Sequence, residues 1–266
     1  MRRALKSLAL LLAVALLAGW PSGSLGGGGT GGGTGGGGSP PGSATLNDDF
    51  EADATGWSVV SGDWCRKKSG VGRLELTGPG LCIYNNATGN AGTVPTTDDQ
   101  WAVAQVATTT TGVGFHMKDV ASGGGNSIGV LWNSGTTLSI GTCDTGASCS
   151  MIDHAGATPG APAVGDQIGV VVGGAGASTE TCVWIWRAAD ADPSNWSNPS
   201  TWGNADACQS NGAITFLASY ANCSSGTVCY TSEVMDFVPA DGQTYVGFLS
   251  VTTTNAEWEW ILAGDL

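Results

Sequence analysis

Glu257 and Glu259 are the pair of carboxylates whose spacing comes nearest to that of an acid–base site. Side chains two residues apart on a β-strand point to the same face, so this pair would share one surface. Retaining glycoside hydrolases need two carboxylates about 5 Å apart. No third carboxylate continues the spacing, and we therefore expect a solvent-facing edge rather than an active site. The opposite, core-facing side of this strand is predicted to carry Trp258, Trp260 and Leu262.

The tryptophans give a stronger signal, and it indicates binding. Ten of the 11 tryptophans lie beyond residue 43, and such rings present a large contact area at low entropic cost. Trp196 and Trp202 lie in Ala188–Asn211, which shows no strand pattern, whereas Trp184 and Trp186 share one face of a predicted strand. We predict these four as ligand-binding residues. The alternatives are packing of the loop onto a sheet for the first pair and a core position for the second.

The eight cysteines predict disulfide bonds. Their number is even, and an even count in an exported chain is typical of a disulfide framework. Zinc is disfavoured because no Cys-x-x-Cys motif is present and the chain has only two histidines. The sequence alone allows 105 pairings. Short loops favour pairing in chain order: Cys65 with Cys82, Cys143 with Cys149, Cys182 with Cys208, and Cys223 with Cys229.

The charge distribution excludes two classes of partner. The formal net charge is −13, and three of the nine basic residues lie in the first six positions. Nucleic acid and anionic lipid are bound through basic patches, which this composition does not supply. We therefore expect neither nucleic acid nor a membrane surface as the partner.

The N-terminus predicts export. A basic start is followed by an apolar run at 8–17 and then by small residues, which is the pattern of a signal peptide, assigned to residues 1–21. The apolar run is shorter than a membrane helix requires, so we expect no membrane insertion after cleavage; an uncleaved anchor is the alternative. Residues 22–43 are predicted to form a glycine-rich flexible linker. The expected location is the extracellular space, the cell surface or the periplasm.

Residues 44–266 are predicted to form one all-β domain. Short apolar or alternating runs recur through this part of the chain, and clusters rich in Gly, Asn, Asp, Ser and Pro separate them. This pattern is typical of an antiparallel sandwich made of two sheets. A chain of this length buries a sizeable core, so the disulfides would reinforce the domain rather than replace its core.

Three segments resemble concanavalin A-like jelly rolls of the laminin-G type. LNDDFEADATGWSVVSGDW at 46–64 is similar to their opening strands, and VWIWRAADADPSNWSNPSTWG at 183–203 is similar to a strand and Trp-rich loop of bacterial members. DGQTYVGFLSVTTTNAEWEWILAGDL at 241–266 is similar to their closing pair of strands. The resemblance implies a jelly-roll sandwich of two antiparallel sheets. It does not select an activity, because the fold hosts lectins, adhesion modules, hydrolases and lyases.

The resemblance also implies candidates for a metal ion and for lyase chemistry. Jelly rolls of this type often hold calcium through hard oxygen ligands, and the candidate ligands here are Asp48, Asp49, Asp190, Asp192 and Asp265. Lyases of this fold combine Tyr, His and Arg. His116 and Lys118 would share one strand face, but no second basic cluster with Tyr accompanies them, so we expect His116 at the surface or a loop edge.

The leading hypothesis is a secreted or surface-displayed recognition module without catalytic activity, which binds carbohydrate or another extracellular ligand. The first alternative is a polysaccharide-active hydrolase or lyase of the same fold. The second is a structural or adhesion protein that binds protein partners. The missing catalytic spacing favours the first hypothesis over the enzymes.

Overall fold

The computed structural model describes residues 44–50, 57–62, 65–68, 72–84, 95–97, 99–119, 127–144, 148–154, 157–174, 179–210, 228–230 and 244–266. For residues 58–62, 65–68, 83, 119, 144, 148 and 228–230 only the backbone is described. The predicted signal peptide and linker lie outside these ranges, as does Cys223.

The described residues form strands and one short 3₁₀ helix, Pro199–Thr201, and none of them is in an α-helix. The strands build two sheets. The first sheet has nine strands. In spatial order it contains β14 (Val228–Tyr230), β13 (Ala207–Ser210), β12 (Glu180–Trp186), β11 (Gln167–Gly173), β6 (Gln100–Val106), β16 (Ala256–Asp265), β4 (Arg73–Leu76) and β3 (Cys65–Lys68), and β1 (Leu46–Asp48) pairs with β16.

The second sheet has seven strands, and all of its pairings are antiparallel. In spatial order it contains β10 (Ser148–His154), β9 (Thr137–Asp144), β8 (Ser127–Ser134), β7 (Val113–Asp119), β15 (Tyr245–Ser250), β5 (Gly80–Tyr84) and β2 (Trp57–Gly62). The first sheet is antiparallel except for the pairing of β13 with β14. The predicted all-β sandwich of two antiparallel sheets is thus confirmed, and it is consistent with a jelly roll.

The main core lies between the two sheets, because alternation along each strand turns one set of side chains inward. Phe248 of β15 stacks on Trp258 of β16 with ring centroids 4.4 Å apart, and on Phe115 of β7 at 5.6 Å. Trp132 and Trp258 are fully buried in this cluster. The Phe248–Trp258 pair joins the two sheets at the centre of the sandwich.

A second apolar cluster lies on the outer face of the first sheet. Residues 187–206, here called the strap, connect β12 to β13 and pack against this face. The strap buries Trp202 and Ala205 against Trp101 and Trp184 of the sheet. An outer sheet face that is open to water is normally polar. The strap therefore turns this face into a second buried layer.

Arg187 fastens the beginning of the strap. Its guanidinium donates hydrogen bonds to the carbonyl oxygens of Pro159 and Ala161, both at 3.0 Å, and lies 3.1 Å from the buried carboxylate of Asp166. It also lies over the ring of Trp132, 5.6 Å from the centroid. Asp166 in turn accepts a hydrogen bond from the backbone N–H of Ala188. The loop before β11 and the strap are therefore held together by one charged cluster.

Two of the four predicted disulfides are confirmed, Cys143–Cys149 and Cys182–Cys208. Cys143 and Cys149 lie opposite each other on β9 and β10, and Cys182 and Cys208 lie opposite each other on β12 and β13. Cys82 is also disulfide-bonded, but the side chain of its predicted partner lies outside the described residues. Cys223 and the side chain of its predicted partner Cys229 also lie outside them. Bonds of this kind indicate an oxidising compartment. Within the described ranges, no helix is long and apolar enough to cross a membrane.

Removal of Cys182–Cys208 is expected to destabilise the fold more than removal of Cys143–Cys149. The first bond joins residues 26 apart in sequence and the second joins residues 6 apart. In the chain-entropy model these loops correspond to about 3.5 and about 2 kcal/mol. Denaturant unfolding of C182A/C208A and C143A/C149A measures the difference, and a larger loss for the shorter loop would contradict the expectation.

Candidate functional site

A β-bulge in β16 determines which side chains reach the outer face of the first sheet. The pairing of β16 with β6 shifts register between Trp258 and Trp260. Before the bulge, Trp258 points into the core between the sheets, and after it Trp260 and Leu262 belong to the outer cluster. A bulge inserts one extra residue into a strand and so redirects the side chains that follow. The prediction that Trp258, Trp260 and Leu262 share the core face is therefore wrong for the last two.

The rings of Trp196 and Trp260 form the accessible end of the outer cluster. Trp196 of the strap packs edge to face on Trp260 with centroids 6.0 Å apart and on Trp186 at 5.1 Å. Both Trp196 and Trp260 are partly exposed. Trp202 donates a hydrogen bond from Nε1 to the carbonyl oxygen of Trp196 at 3.1 Å, which fixes the backbone beneath the ring.

The other three predicted ligand-binding tryptophans are buried. Trp184 and Trp202 are 1% and 4% exposed, and their rings meet edge to face at 5.2 Å. Trp186 is buried between Trp196 and Trp202. Val183, which lies between Cys182 and Trp184 in the sequence, points into the core between the sheets, on the opposite face from the two tryptophans of this strand. The structure thus favours the packing role for Trp184, Trp186 and Trp202, and it leaves Trp196 as the member of the predicted set with an accessible ring.

Gly169 on β11 is the reason that the rings can lie directly on the sheet. A Cβ atom at this position would lie 2.7 Å from the Trp186 ring and 3.0 Å from the Trp202 ring. Any side chain here would therefore lift both rings, and with them the strap. The next cross-strand row on this face, two residues away along β11, contains Gln167, opposite Trp186, and Gln105, opposite Trp260.

Gln167 carries an acceptor that the described residues leave without a partner. Its side chain is 6% exposed, and Oε1 has no hydrogen-bond donor within the described part of the chain. Buried polar atoms of this kind call for a donor from water or a ligand. The amides of buried Gln167 and partly exposed Gln105 therefore lie in one row between the rings of Trp186 and Trp260.

Next to Trp260, an arginine is held between two carboxylates. Arg73 on β4 lies 2.8 Å from Glu259 through Nε and 3.0 Å from Glu257 through NH1. Partial burial alone would lower the pKa of Arg73, but the hydrogen bonds and charges of Glu259 and Glu257 raise it above its ordinary value. The predicted solvent-facing edge is thus a partly buried ionic cluster.

A third carboxylate, which sequence spacing could not reveal, completes this cluster. Glu75 of β4 lies directly opposite Glu257 of β16 in the antiparallel register. Its side chain is buried, and its Oε1 accepts a hydrogen bond from Nδ2 of Asn255 at 2.6 Å. Partners in register have Cβ atoms about 5 Å apart. Glu75 precedes Glu257 by 182 positions in the sequence. The spacing of nearby residues therefore gives no indication that the two carboxylates meet.

We call this surface the outer strip. It runs along β16 on the outer face of the first sheet and contains Asn255, Glu257, Glu259 and Trp260 with Arg73, Glu75 and Trp196.

The five predicted calcium ligands are distributed over three places. Asp48 lies in β1, where its two carboxylate oxygens accept hydrogen bonds from Phe50 N and Trp57 Nε1, both at 2.8 Å. Asp49 follows it and is partly exposed. Asp190 and Asp192 lie in the strap, and the carboxylate of Asp190 accepts the backbone N–H of Arg187 at 2.7 Å. Desolvation raises the pKa of Asp192.

Asp265, at the end of β16, is the fifth. It accepts hydrogen bonds from the backbone N–H and the hydroxyl of both Thr96 and Thr97, at 2.7 to 3.0 Å. Across the described ranges, no three His, Cys, Asp or Glu side chains are grouped to hold a metal ion. Internal donors hold the carboxylates of Asp48 and Asp265, and calcium binding stays a prediction.

His116 and Lys118 do not form a basic pair on one face, so that interpretation is wrong. The Nε2 atom of His116 lies 2.7 Å from Oγ of Ser127, on the outer side of the second sheet. Lys118 has φ of 53° and donates from Nζ to the carbonyl oxygen of Gly174, which follows β11 of the first sheet. The left-handed backbone at Lys118 turns its side chain towards the first sheet. Both side chains are fully buried, and His116 is therefore not at the surface.

No family model matches the chain, and no curated protein matches it.

Asp265→Asn is expected to lower the free energy of unfolding at neutral pH. Partial burial alone would raise the pKa of Asp265, but the hydrogen bonds from Thr97 and Thr96 hold it below its ordinary value. A depressed pKa in the folded state contributes stability above the unfolded-state pKa, and this contribution is lost as pH falls through the folded-state pKa. Urea unfolding of D265N and the parent at several pH values measures the difference, which should shrink in acid. A difference independent of pH would contradict the ionic origin.

Proposed function

We propose that this protein is an exported carbohydrate-recognition module that binds a polysaccharide on the outer strip. The observation that carries the proposal is the pair of partly exposed rings, Trp196 and Trp260, beside carboxylates on the same face. Export is supported by the signal-peptide pattern and by the disulfides.

The chemistry of the strip matches that of a sugar. A pyranose ring has an apolar face of C–H groups and an edge of hydroxyl groups. The tryptophan rings offer aromatic faces for the first. The carboxylates of Glu257 and Glu259, and beside the strip the amide of Gln105 opposite Trp260, offer acceptors for the hydroxyl groups. Charge-assisted hydrogen bonds to carboxylates are stronger than neutral ones and give the strip selectivity for hydroxyl donors.

The net negative charge of the chain favours neutral over anionic polysaccharides as ligands. With 22 acidic residues against nine basic ones, the protein repels an anionic chain such as a uronate polymer. Among the side chains of the strip that the structure describes, Arg73 is the basic one, and two carboxylates already hold it. We therefore propose that the ligand is a neutral polysaccharide. Resemblance to concanavalin A-like jelly rolls, a fold that includes lectins, agrees with this choice.

Trp260→Ala and Trp196→Ala are each expected to weaken polysaccharide binding by about tenfold or more, as loss of a central aromatic contact does. Calorimetry and affinity electrophoresis of the purified chain with soluble xylan, mannan and mixed-linkage β-glucan measure the loss, and alginate serves as the anionic comparison.

Trp260→Phe keeps an aromatic face and should retain most of the affinity. Val164→Ala is the matched control, because Val164 is an exposed apolar side chain outside the strip. Thermal unfolding of each variant separates lost binding from lost folding. Failure to bind any neutral polysaccharide, or full binding by a folded W196A/W260A variant, would overturn the proposal.

Glu75 supports a second candidate, a polysaccharide hydrolase. Two carboxylates from neighbouring strands, Glu75 and Glu257, lie opposite each other beside the aromatic end of the strip. In glycoside hydrolysis one carboxylic acid protonates the leaving oxygen, while the other carboxylate attacks the anomeric carbon or activates water. Water finally supplies the hydroxyl group on the anomeric carbon, and the leaving oxygen keeps the proton from the acid.

Under this second candidate, the purified chain is expected to release reducing ends from a neutral polysaccharide, and E75Q and E257Q should each lower the rate by about 100-fold or more. Glu259→Gln is the comparison, since Glu259 is the more exposed partner of Arg73. A reducing-end assay measures the rate. Absence of products from the parent chain, or parental rates in E75Q and E257Q, would leave binding as the sole function of the strip.

A further inference from the structure

Two threonine-rich loops meet at one end of the sandwich, next to the outer strip. The loop after β6 contains Thr108 and Thr110, and the loop after β15 contains Thr252 and Thr254. Their hydroxyl groups form a connected network: Thr252 to Thr254 at 2.9 Å, Thr254 to Thr110 at 3.2 Å, and Thr110 to Thr108 at 3.0 Å. We call these four residues the threonine ladder.

Backbone hydrogen bonds hold the two loops in this arrangement. Val251 donates from N to the carbonyl oxygen of Gly112 at 2.9 Å, and Ala107 donates from N to the carbonyl oxygen of Glu257 at 2.8 Å. Gly112 has φ of 76°, and a Cβ atom there would lie 2.9 Å from the side chain of Val251. The hydroxyl groups are therefore displayed on a fixed backbone rather than on a loose loop.

Asn255 connects the ladder to the outer strip. Its carbonyl oxygen accepts from the Thr108 hydroxyl at 3.3 Å, and its side chain donates to Glu75 at 2.6 Å. Asn255 and Thr254 are exposed, while Thr108 and Thr110 are partly exposed. Accessible polar groups thus continue from Trp260 along β16 to Asn255 and then onto the ladder.

The length of this surface decides what can fill it. Trp260 and Asn255 are five residues apart on an extended strand, a distance of about 16 Å at the rise of a β-strand. The ladder extends the surface beyond Asn255. One sugar ring or a disaccharide would cover only the aromatic end.

We propose that the strip and the ladder together bind an internal stretch of a linear neutral polysaccharide, with the aromatic rings at one end of the bound segment and the threonine hydroxyls at the other. This inference rests on the proposed function. The ladder hydroxyls act as donors and acceptors towards sugar hydroxyl groups, whereas the rings hold the apolar faces of the sugars. The ligand is recognised by length as well as by sugar type.

A length series tests the inference. Calorimetry of the purified chain with xylo-, manno- and cello-oligosaccharides, from the disaccharide to the hexasaccharide, is expected to show affinity that rises until at least the tetrasaccharide. Thr110→Val/Thr254→Val removes two hydroxyl groups and keeps the side-chain shape. It is expected to lower affinity for the hexasaccharide by about fivefold or more and to leave the disaccharide unchanged.

Thr136→Val is the matched control. Thr136 is an exposed threonine whose hydroxyl lies 3.3 Å from that of Ser134, on a turn of the second sheet outside the strip and the ladder. The T136V variant should bind oligosaccharides of every length with the affinity of the parent chain. Thermal unfolding verifies that each variant is folded.

The outcomes separate the two proposals. Equal affinity for the disaccharide and the hexasaccharide, or a folded ladder variant with parental affinity for the hexasaccharide, overturns the extended site but leaves the aromatic binding site standing if W260A abolishes binding. Absence of binding at every length, with the polysaccharides also unbound, overturns the proposed function and the extended site together.

Discussion

The β-bulge between Trp258 and Trp260 is the constraint on which both apolar layers of the sandwich depend. A regular strand would direct alternate residues to one face throughout, so Trp258, Trp260 and Leu262 would all enter the core. One inserted residue separates them. Trp258 can then stack on Phe248 between the sheets, while Trp260 meets Trp196 outside. A single strand thereby contributes to the core and to the candidate site.

The outer layer in turn depends on the strap. A sheet face lined by Trp101, Trp184 and Val171 would present a large apolar patch to water, and such patches favour aggregation. The strap covers it with Trp202, and Arg187 and the Cys182–Cys208 bond hold the two ends of the covering segment. Four of the tryptophans that the structure describes, Trp101, Trp184, Trp186 and Trp202, are buried in this packing. The proposed binding site lies where the strap leaves the rings of Trp196 and Trp260 partly exposed.

The sequence predicted the scaffold well because the signals for it are local. Alternating runs indicated the two sheets, and short separations indicated the two disulfides that the described residues show. The site depends on non-local facts. Glu75 faces Glu257 only through strand register, and neither the bulge in β16 nor the positive φ at Lys118 has a distinctive residue pattern. A tryptophan count likewise cannot distinguish a ring that packs from a ring that binds.

Under the proposed function, specificity and stability depend on different parts of this sandwich. The sheets fix Arg73, Glu75 and Glu257 through backbone register, so these groups are positioned as rigidly as the core. The strap and the threonine loops supply Trp196 and the ladder hydroxyls, and loops carried by a rigid scaffold can change without loss of the fold. If the strip binds a ligand as proposed, a change of ligand would therefore arise most readily from substitutions in the strap and loops. Substitutions on β4 and β16 would alter the acceptors that any hydroxyl-bearing ligand must meet.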